Sequence, residues 1–102
     1  MGNSNFVVEN GVLTQYTGKE TNIVIPAGVQ KIGMSAFWKN CYIRQVTIPE
    51  GVQIIDREAF MACDELRQVT FPESLVFIEA EAFKNCGMLE KVVIPHNVTK
   101  VG

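Results

Sequence analysis

Apolar residues along this chain recur with a single period of 23 residues. Every proline occupies the same place in that period, and an Ala-Phe pair follows each of the first three prolines ten residues later. The prolines are Pro26, Pro49, Pro72 and Pro95, and the pairs begin at Ala36, Ala59 and Ala82. Such self-similarity is typical of a repeat protein, in which each unit is one supersecondary element that stacks on the next.

A short alternating segment stands directly before each proline. In residues 46–48, Val-Thr-Ile, every second residue is apolar, which predicts a strand that directs alternate side chains into a core. Pro49 has no amide hydrogen, so we expect it to end the strand and turn the chain. Val52 and Ile55 then cover the far side of the core, and the Ala-Phe step at residues 59–60 predicts about one helical turn.

Stacking of these units predicts a solenoid. Equivalent residues of neighbouring units are expected about 4.8 Å apart, the spacing of adjacent strands in a sheet. The pattern therefore predicts an interior column of Phe37, Phe60 and Phe83. Since one unit alone cannot bury such a face, we expect three full units and part of a fourth to share a continuous core.

The first 22 residues do not follow the repeat. Asn10-Gly11 separates two apolar runs, and this pair is the strongest short-range signal for a two-residue hairpin. The sequence therefore predicts an N-terminal hairpin cap over residues 1–22 and a repeat array over residues 23–102. The last unit stops at Val101-Gly102 without the polar capping unit that solenoids normally carry. Either the chain is a cut from a longer array or another molecule covers the open end. We favour the cut, with homo-oligomer formation through the uncapped C-terminal coil as a consequence.

Written as a motif, the unit is apolar-x-x-Val-x-Ile-Pro-x-x-Val-x-x-Ile-x-x-x-Ala-Phe-x-x-Cys or Asn. This motif resembles the BspA-like class of leucine-rich repeat of bacterial surface proteins, and the match extends over residues 23–102. The resemblance implies a leucine-rich repeat solenoid of the α/β horseshoe class, with short parallel strands, turns and single helical turns. It also implies a secreted or cell-surface parent protein and a strand face that binds proteins.

Charge and composition exclude two classes of partner. Nine basic and eleven acidic side chains give a formal net charge of −2, so no overall positive field favours nucleic acid or an anionic membrane surface. No apolar run approaches the roughly 20 residues of a membrane-spanning helix, which argues against membrane insertion.

Three cysteines are present, with no Cys-x-x-Cys pair that would indicate zinc or redox chemistry. Cys63 and Cys86 share one column of the repeat. They are expected to be inert core thiols, although stacked coils could in principle bring them to disulfide distance. Cys41 lies one position later in its unit and is the expected exposed thiol.

Catalysis and cofactor binding have no candidate residues in this sequence. The single histidine, His96, follows Pro95 in a column of solvent-facing corner residues, and the serines that a general base would activate are scattered in turns, so we expect a surface histidine. Four carboxylates share one edge and could attract Ca²⁺, but we favour a solvated edge because the flanking columns carry Gly33 and Ser35. These carboxylates are Asp56, Glu58, Glu79 and Glu81.

Two groups of variable positions are candidate contacts with a partner protein. One group is the uncharged or mildly polar outer surface of the strands. The other consists of apolar residues where the repeat does not require them, since aromatic residues and Met are enriched in interfaces. Scattered exposed apolar residues are also ordinary in monomers, so both interpretations stay open. The strand candidates are Gln45, Thr47, Gln68, Thr70 and Lys91, and the apolar candidates are Trp38, Ile54, Met61 and Phe77.

The sequence thus predicts a non-catalytic protein-protein interaction or adhesion module. The alternative is a self-associating structural or scaffold fragment of a longer repeat array, based on the uncapped last coil. An enzyme is a third class. Function resides in sites rather than in folds, and the sequence shows no catalytic site.

Overall fold

The structure is a computed structural model that describes residues 5–90 and 92–101. Nine strands form two sheets in these residues. The strands are β1 (Phe6–Glu9), β2 (Val12–Tyr16), β3 (Asn22–Val24), β4 (Lys31–Ile32), β5 (Gln45–Thr47), β6 (Ile54–Ile55), β7 (Gln68–Thr70), β8 (Phe77–Ile78) and β9 (Lys100–Val101).

Strand pairing follows the sequence period. The small sheet has the order β3-β5-β7, and the large sheet has the order β1-β2-β4-β6-β8-β9. Within the repeat array the pairs are parallel and join residues 23 positions apart, as in Val46 with Val69 and Ile55 with Ile78. Each of the first three coils therefore adds one strand to each sheet, the fourth adds β9 to the large sheet, and the predicted solenoid is confirmed.

The prolines end the small-sheet ladder where the sequence predicts. Ile25 and Ile48, each directly before a proline, donate their N–H groups to the carbonyls of Thr47 and Thr70 at 3.0 Å. Pro49 cannot continue this ladder because it has no N–H. The chain turns there, and Val52 donates to the Pro49 carbonyl at 3.4 Å.

The predicted single helical turn at the Ala-Phe step is wrong in detail, since the described residues contain no helix. Ser35 and Lys39 have φ values of 60° and 61°, a left-handed backbone that a right-handed helix cannot include. The N–H of Phe37 donates to Ala59 of the next coil at 2.7 Å, whereas the N–H of Trp38 donates locally to Ser35 at 3.2 Å. Alternate residues of this segment therefore pair between coils, as a strand does.

The core is apolar and continuous, with no buried polar or charged residue in the described part of the chain. Its axis is the predicted phenylalanine column. The Phe37 and Phe60 rings lie 4.7 Å apart with planes 5° from parallel, and Phe60 and Phe83 lie 5.1 Å apart at 3°. The coil spacing holds these rings face to face, and the prediction of an interior column is confirmed.

The N-terminal hairpin covers the first coil. Asn10 and Gly11 have φ values of 53° and 79°, and a two-residue type I′ turn requires positive φ at both of these positions. Tyr16 extends the aromatic column, because its ring lies 5.3 Å from that of Phe37 and its N–H donates to Ala36 at 3.0 Å. The predicted hairpin cap is confirmed. The boundary at residue 22 stays a prediction, because β2 pairs with β4 in the large sheet.

Replacing Phe60 by Ala tests the importance of the aromatic column. The side chain is fully buried between two stacked rings, so we expect the free energy of unfolding to fall by about 3–5 kcal/mol. Urea denaturation followed by circular dichroism measures this change. Phe77→Ala is the matched control, since that ring is 37% exposed and its removal should cost less than half as much. Equal losses in the two variants would contradict the role of the column.

Candidate protein-binding surface

Three parallel strands present one flat outer surface. Strand alternation buries the central residue of each strand, which is Ile23, Val46 or Val69, and exposes the two residues beside it. Because the pairing is in register, the exposed residues form two straight rows across the sheet. We call these six residues the strand face: Asn22, Val24, Gln45, Thr47, Gln68 and Thr70.

The strand face brings four predicted contact residues together. Gln45 lies beside Gln68, and its amide donates to the Gln68 side-chain oxygen at 3.5 Å, while Thr47 lies beside Thr70. None of the six side chains carries a charge. The fifth predicted contact, Lys91, lies outside the described residues. The strand face can therefore contact a partner through side-chain hydrogen bonds and through packing, on strands that are paired in register.

Sequence reasoning missed Asn22 and Val24, which extend both rows by one strand. Val24 is 67% exposed. Counting one period back from Gln45 and Thr47 would have found both residues. Val93, one period after Thr70, is 80% exposed but belongs to no strand. The ordered face thus spans β3, β5 and β7.

The four apolar candidates do not join this face. Ile54 and Phe77 pair with each other on the large sheet, where Ile54 is half-buried and Phe77 is more exposed. Trp38, 49% exposed, and Met61, half-buried, lie in the Ala-Phe turns of successive coils. The ammonium group of Lys39 lies 4.7 Å from the centre of the Trp38 ring, within the range of a cation–π contact. The predicted contacts therefore fall on three separate surfaces.

The carboxylate edge is occupied by local partners. Asp56 pairs with Lys31 and Glu79 pairs with Lys100, both at 3.2 Å, and Glu81 pairs with Lys84 at 3.6 Å. Glu58 accepts a hydrogen bond from the Ser35 hydroxyl at 3.4 Å. In the described residues no group of three or more His, Cys, Asp or Glu side chains is placed to hold a metal ion.

His96 is a surface residue. Its Nδ1 lies 3.8 Å from a carboxylate oxygen of Glu73, and its side chain is almost fully exposed. A carboxylate beside an exposed imidazole is a common surface pair, and the structure places no serine or cysteine nucleophile in hydrogen-bond contact with it among the described residues.

The cysteines occupy different environments. Cys63 is buried and donates to the Phe37 carbonyl at 3.0 Å, and Cys86 is partly buried and donates to the Phe60 carbonyl at the same distance. The two largest causes that raise the pKa of the Cys63 thiol are a hydrogen bond with the Cys86 side chain and, second, burial. Both residues have free thiols, and Cys41 is exposed. The predicted column of core thiols is therefore present, and its better shielded member is Cys63.

No helix long and apolar enough to cross a bilayer occurs in residues 5–90 and 92–101.

A family model of the BspA type leucine rich repeat region matches residues 13–102, in six copies. The chain belongs to the BspA-type leucine-rich repeat family. A search of curated proteins found no significant match. For this BspA-type chain the family assignment therefore rests on the repeat itself, and the resemblance seen in the motif is confirmed.

Solved structures of bacterial leucine-rich repeat proteins have a similar fold. One from Bacteroides capillosus ATCC 29799 has a TM-score of 0.85 at 28% identity, over 97% of the BspA-type chain and 88% of its own. The pneumococcal vaccine antigen PcpA has a TM-score of 0.89 at 26% identity, over 95% of this chain and 24% of its own. A leucine rich cell surface protein from Faecalibacterium prausnitzii A2-165 has a TM-score of 0.84 at 28% identity, over 88% of this chain and 24% of its own.

The BspA-type chain is shorter than several of these proteins. It spans 56% of the T. pallidum leucine rich repeat protein, to which it is 25% identical with a TM-score of 0.78, and 24% of the Faecalibacterium prausnitzii protein. The similarity therefore describes a block of coils within longer proteins.

Thiol labelling tests the placement of the cysteines. In the native protein at neutral pH we expect Cys41 to react first with a thiol reagent and Cys63 to react only on unfolding, because its thiol is shielded and resists ionisation. Mass spectrometry of the labelled peptides over time measures the order. Cys41→Ser should remove the fast phase and leave the rest unchanged, whereas rapid labelling of Cys63 in the folded protein would contradict the buried column.

Proposed function

We propose that this chain is a non-catalytic protein-binding module of a secreted or cell-surface bacterial protein, and that its strand face contacts the partner. The observation that carries this proposal is the exposed and uncharged strand face, whose three strands are paired in register. Such a surface loses little conformational entropy on binding, because its backbone is already fixed.

Family membership supports the same function. Leucine-rich repeat proteins typically act in protein interaction. The similar protein from Faecalibacterium prausnitzii is described as a cell surface protein, and the similar pneumococcal protein as a vaccine antigen. Both descriptions agree with an outward-facing location and support a parent protein at the cell surface.

The size of the strand face indicates how binding strength arises. Three strands cover about 10 Å along the solenoid axis at the usual strand spacing of about 4.8 Å. A standard interface buries about 800 Å² on each partner, which is more than six side chains on such a face supply. We infer that neighbouring surfaces or further coils of a longer array share the contact.

Aspartate substitutions test the strand-face proposal. In a variant with Gln45, Gln68, Thr47 and Thr70 all replaced by Asp, four carboxylates would lie close together, and a partner would have to desolvate them. We expect binding to fall at least about tenfold, since like or unpaired charges in an interface cost about 1.4 kcal/mol or more. Surface plasmon resonance against a panel of purified host extracellular proteins measures this effect.

The control for that experiment changes a different surface by the same chemistry. Ile54 and Phe77 replaced by Asp alter the outer side of the large sheet, away from the strand face. If binding persists in the strand-face variant and disappears in the large-sheet variant, the partner contacts Ile54 and Phe77 instead of the strand face. Binding unchanged in both variants would exclude both surfaces.

The second candidate function is self-association through the last coil. A depression of about 550 Å³ lies against this coil and is lined mainly by apolar side chains. Val101 is 62% exposed at its edge, and Phe83 is only partly buried. The lining residues are Ile78, Ala80, Glu81, Ala82, Phe83, Lys84 and Val101. A second copy that covers this surface would bury the apolar side chains of Phe83 and Val101.

Light scattering over a hundredfold concentration range tests self-association. We expect the apparent mass to rise above the 11.4 kDa of one chain as concentration increases. Val101→Lys should lower the apparent mass at high concentration, because it places a charge in the apolar contact. Val24→Lys on the strand face is the control and should leave association unchanged. A mass of one chain at every concentration would exclude this function.

A further inference from the structure

The strand face is bordered by opposite charges on its two sides. Arg44 and Arg67 precede β5 and β7, and the N–H of Arg67 donates to the Arg44 carbonyl at 2.9 Å, so the two residues are neighbours on successive coils. Glu50 and Glu73 follow the prolines at the other ends of the same strands. We call these pairs the arginine border and the glutamate border. All four residues are exposed.

Repeat geometry holds like charges side by side within each border. The N–H of Glu73 donates to a carboxylate oxygen of Glu50 at 2.9 Å, which fixes this carboxylate near that of Glu73. Residues on adjacent coils are about 5 Å apart, a distance at which like charges repel. A partner that brings counter-charges to both borders therefore gains more than it would at isolated charges.

Local ion pairs leave both borders open to a partner. Arg67 approaches Glu65 only at 3.9 Å, and Glu73 approaches the exposed imidazole of His96 at 3.8 Å. The side chains of the first pair are about half exposed and those of the second are mostly exposed, and ion pairs at such surface positions are weak. A guanidinium group can also hold a carboxylate through two parallel hydrogen bonds, which makes the arginine border suited to acidic side chains.

We propose that the strand face binds an extended protein segment that carries acidic side chains at one end and basic side chains at the other. The acidic end contacts the arginine border, the basic end contacts the glutamate border, and uncharged residues cross the Gln and Thr rows between them. This inference rests on the proposed protein-binding function and specifies the chemistry of the partner. The observation that carries this inference is the separation of charge along the strand direction, with arginines at one end of the strand face and glutamates at the other.

The length of the segment follows from the strands. Arg44 and Glu50 are six residues apart, and an extended chain of six residues spans at most about 20 Å. The corner at Pro49 shortens this distance. A bound segment of about six to eight residues therefore reaches from one border to the other.

A blocked peptide, acetyl-Glu-Glu-Ser-Thr-Ser-Thr-Lys-Lys-amide, is the probe. Titration into the full chain, followed by amide shifts in NMR spectra, should move the signals of Gln45, Thr47, Gln68 and Thr70. Because the contacts are exposed charges, raising the salt from about 20 to about 300 mM should weaken binding roughly tenfold. The same peptide with Gln in place of every Glu and Lys is the matched control and should bind at least about tenfold more weakly.

Charge-swap variants give the decisive result. R44E/R67E and E50K/E73K should each weaken peptide binding about tenfold, because each variant repels one end of the peptide. The fourfold variant R44E/R67E/E50K/E73K should restore binding to within about threefold of the original protein, since the peptide can bind in the reverse direction. All four positions are exposed, so circular dichroism should show unchanged folding.

The outcomes separate this inference from the proposed function. Equal binding of the charged and neutral peptides, or a fourfold variant as weak as the two double variants, would overturn the charge-border proposal. If the charge-border proposal fails in this way but the Asp substitutions on the strand face still abolish the binding of protein partners, the proposed function stands. If neither the peptide nor any protein of the panel binds the strand face, both proposals fail.

Discussion

Backbone pairing between neighbouring coils is the constraint on which the rest of this structure depends. A short coil cannot satisfy its own N–H and C=O groups, and unpaired buried groups are costly. Here the strands pair at a constant offset of 23 residues, and even the left-handed Ala-Phe turns send every second N–H to the next coil. Coils of unequal length would break this register, so the coil length is uniform.

The same offset produces the core. Once coils stack at strand spacing, identical positions must lie on top of one another, so rings at one position are brought face to face at about that spacing. Phe37, Phe60 and Phe83 stack nearly parallel for this reason. Tyr16 supplies the matching ring from the cap, and a side chain at Gly18 would collide with its phenol group. The cap therefore joins the core through close packing.

Stacking also determines what the surface can do. Any residue type that recurs at one position becomes a row, so the polar side chains of Gln45 and Gln68 form part of the proposed binding face and repeated charges form borders. Apolar residues at other positions make separate rows on other sides, as Ile54 and Phe77 do. Function in such a protein depends on which rows share one side of the coil.

The sequence by itself determined the coil length, the strand before each proline, the inward columns and the Asn10-Gly11 hairpin. It also predicted most of the strand face, because residues one period apart must be neighbours in any stacked solenoid. The tertiary structure alone decided that Tyr16 completes the aromatic column and that the Ala-Phe step is a left-handed turn. Tyr16 lies outside the 23-residue period, since it is 21 residues before Phe37 and reaches the column through the path of the hairpin. The turn recurs with the period, but its left-handed backbone is carried by different residue types, such as Ser35 and Glu58, so the sequence did not reveal it. A period specifies which residues share a row, whereas the backbone path in space decides where each row faces and what covers its end.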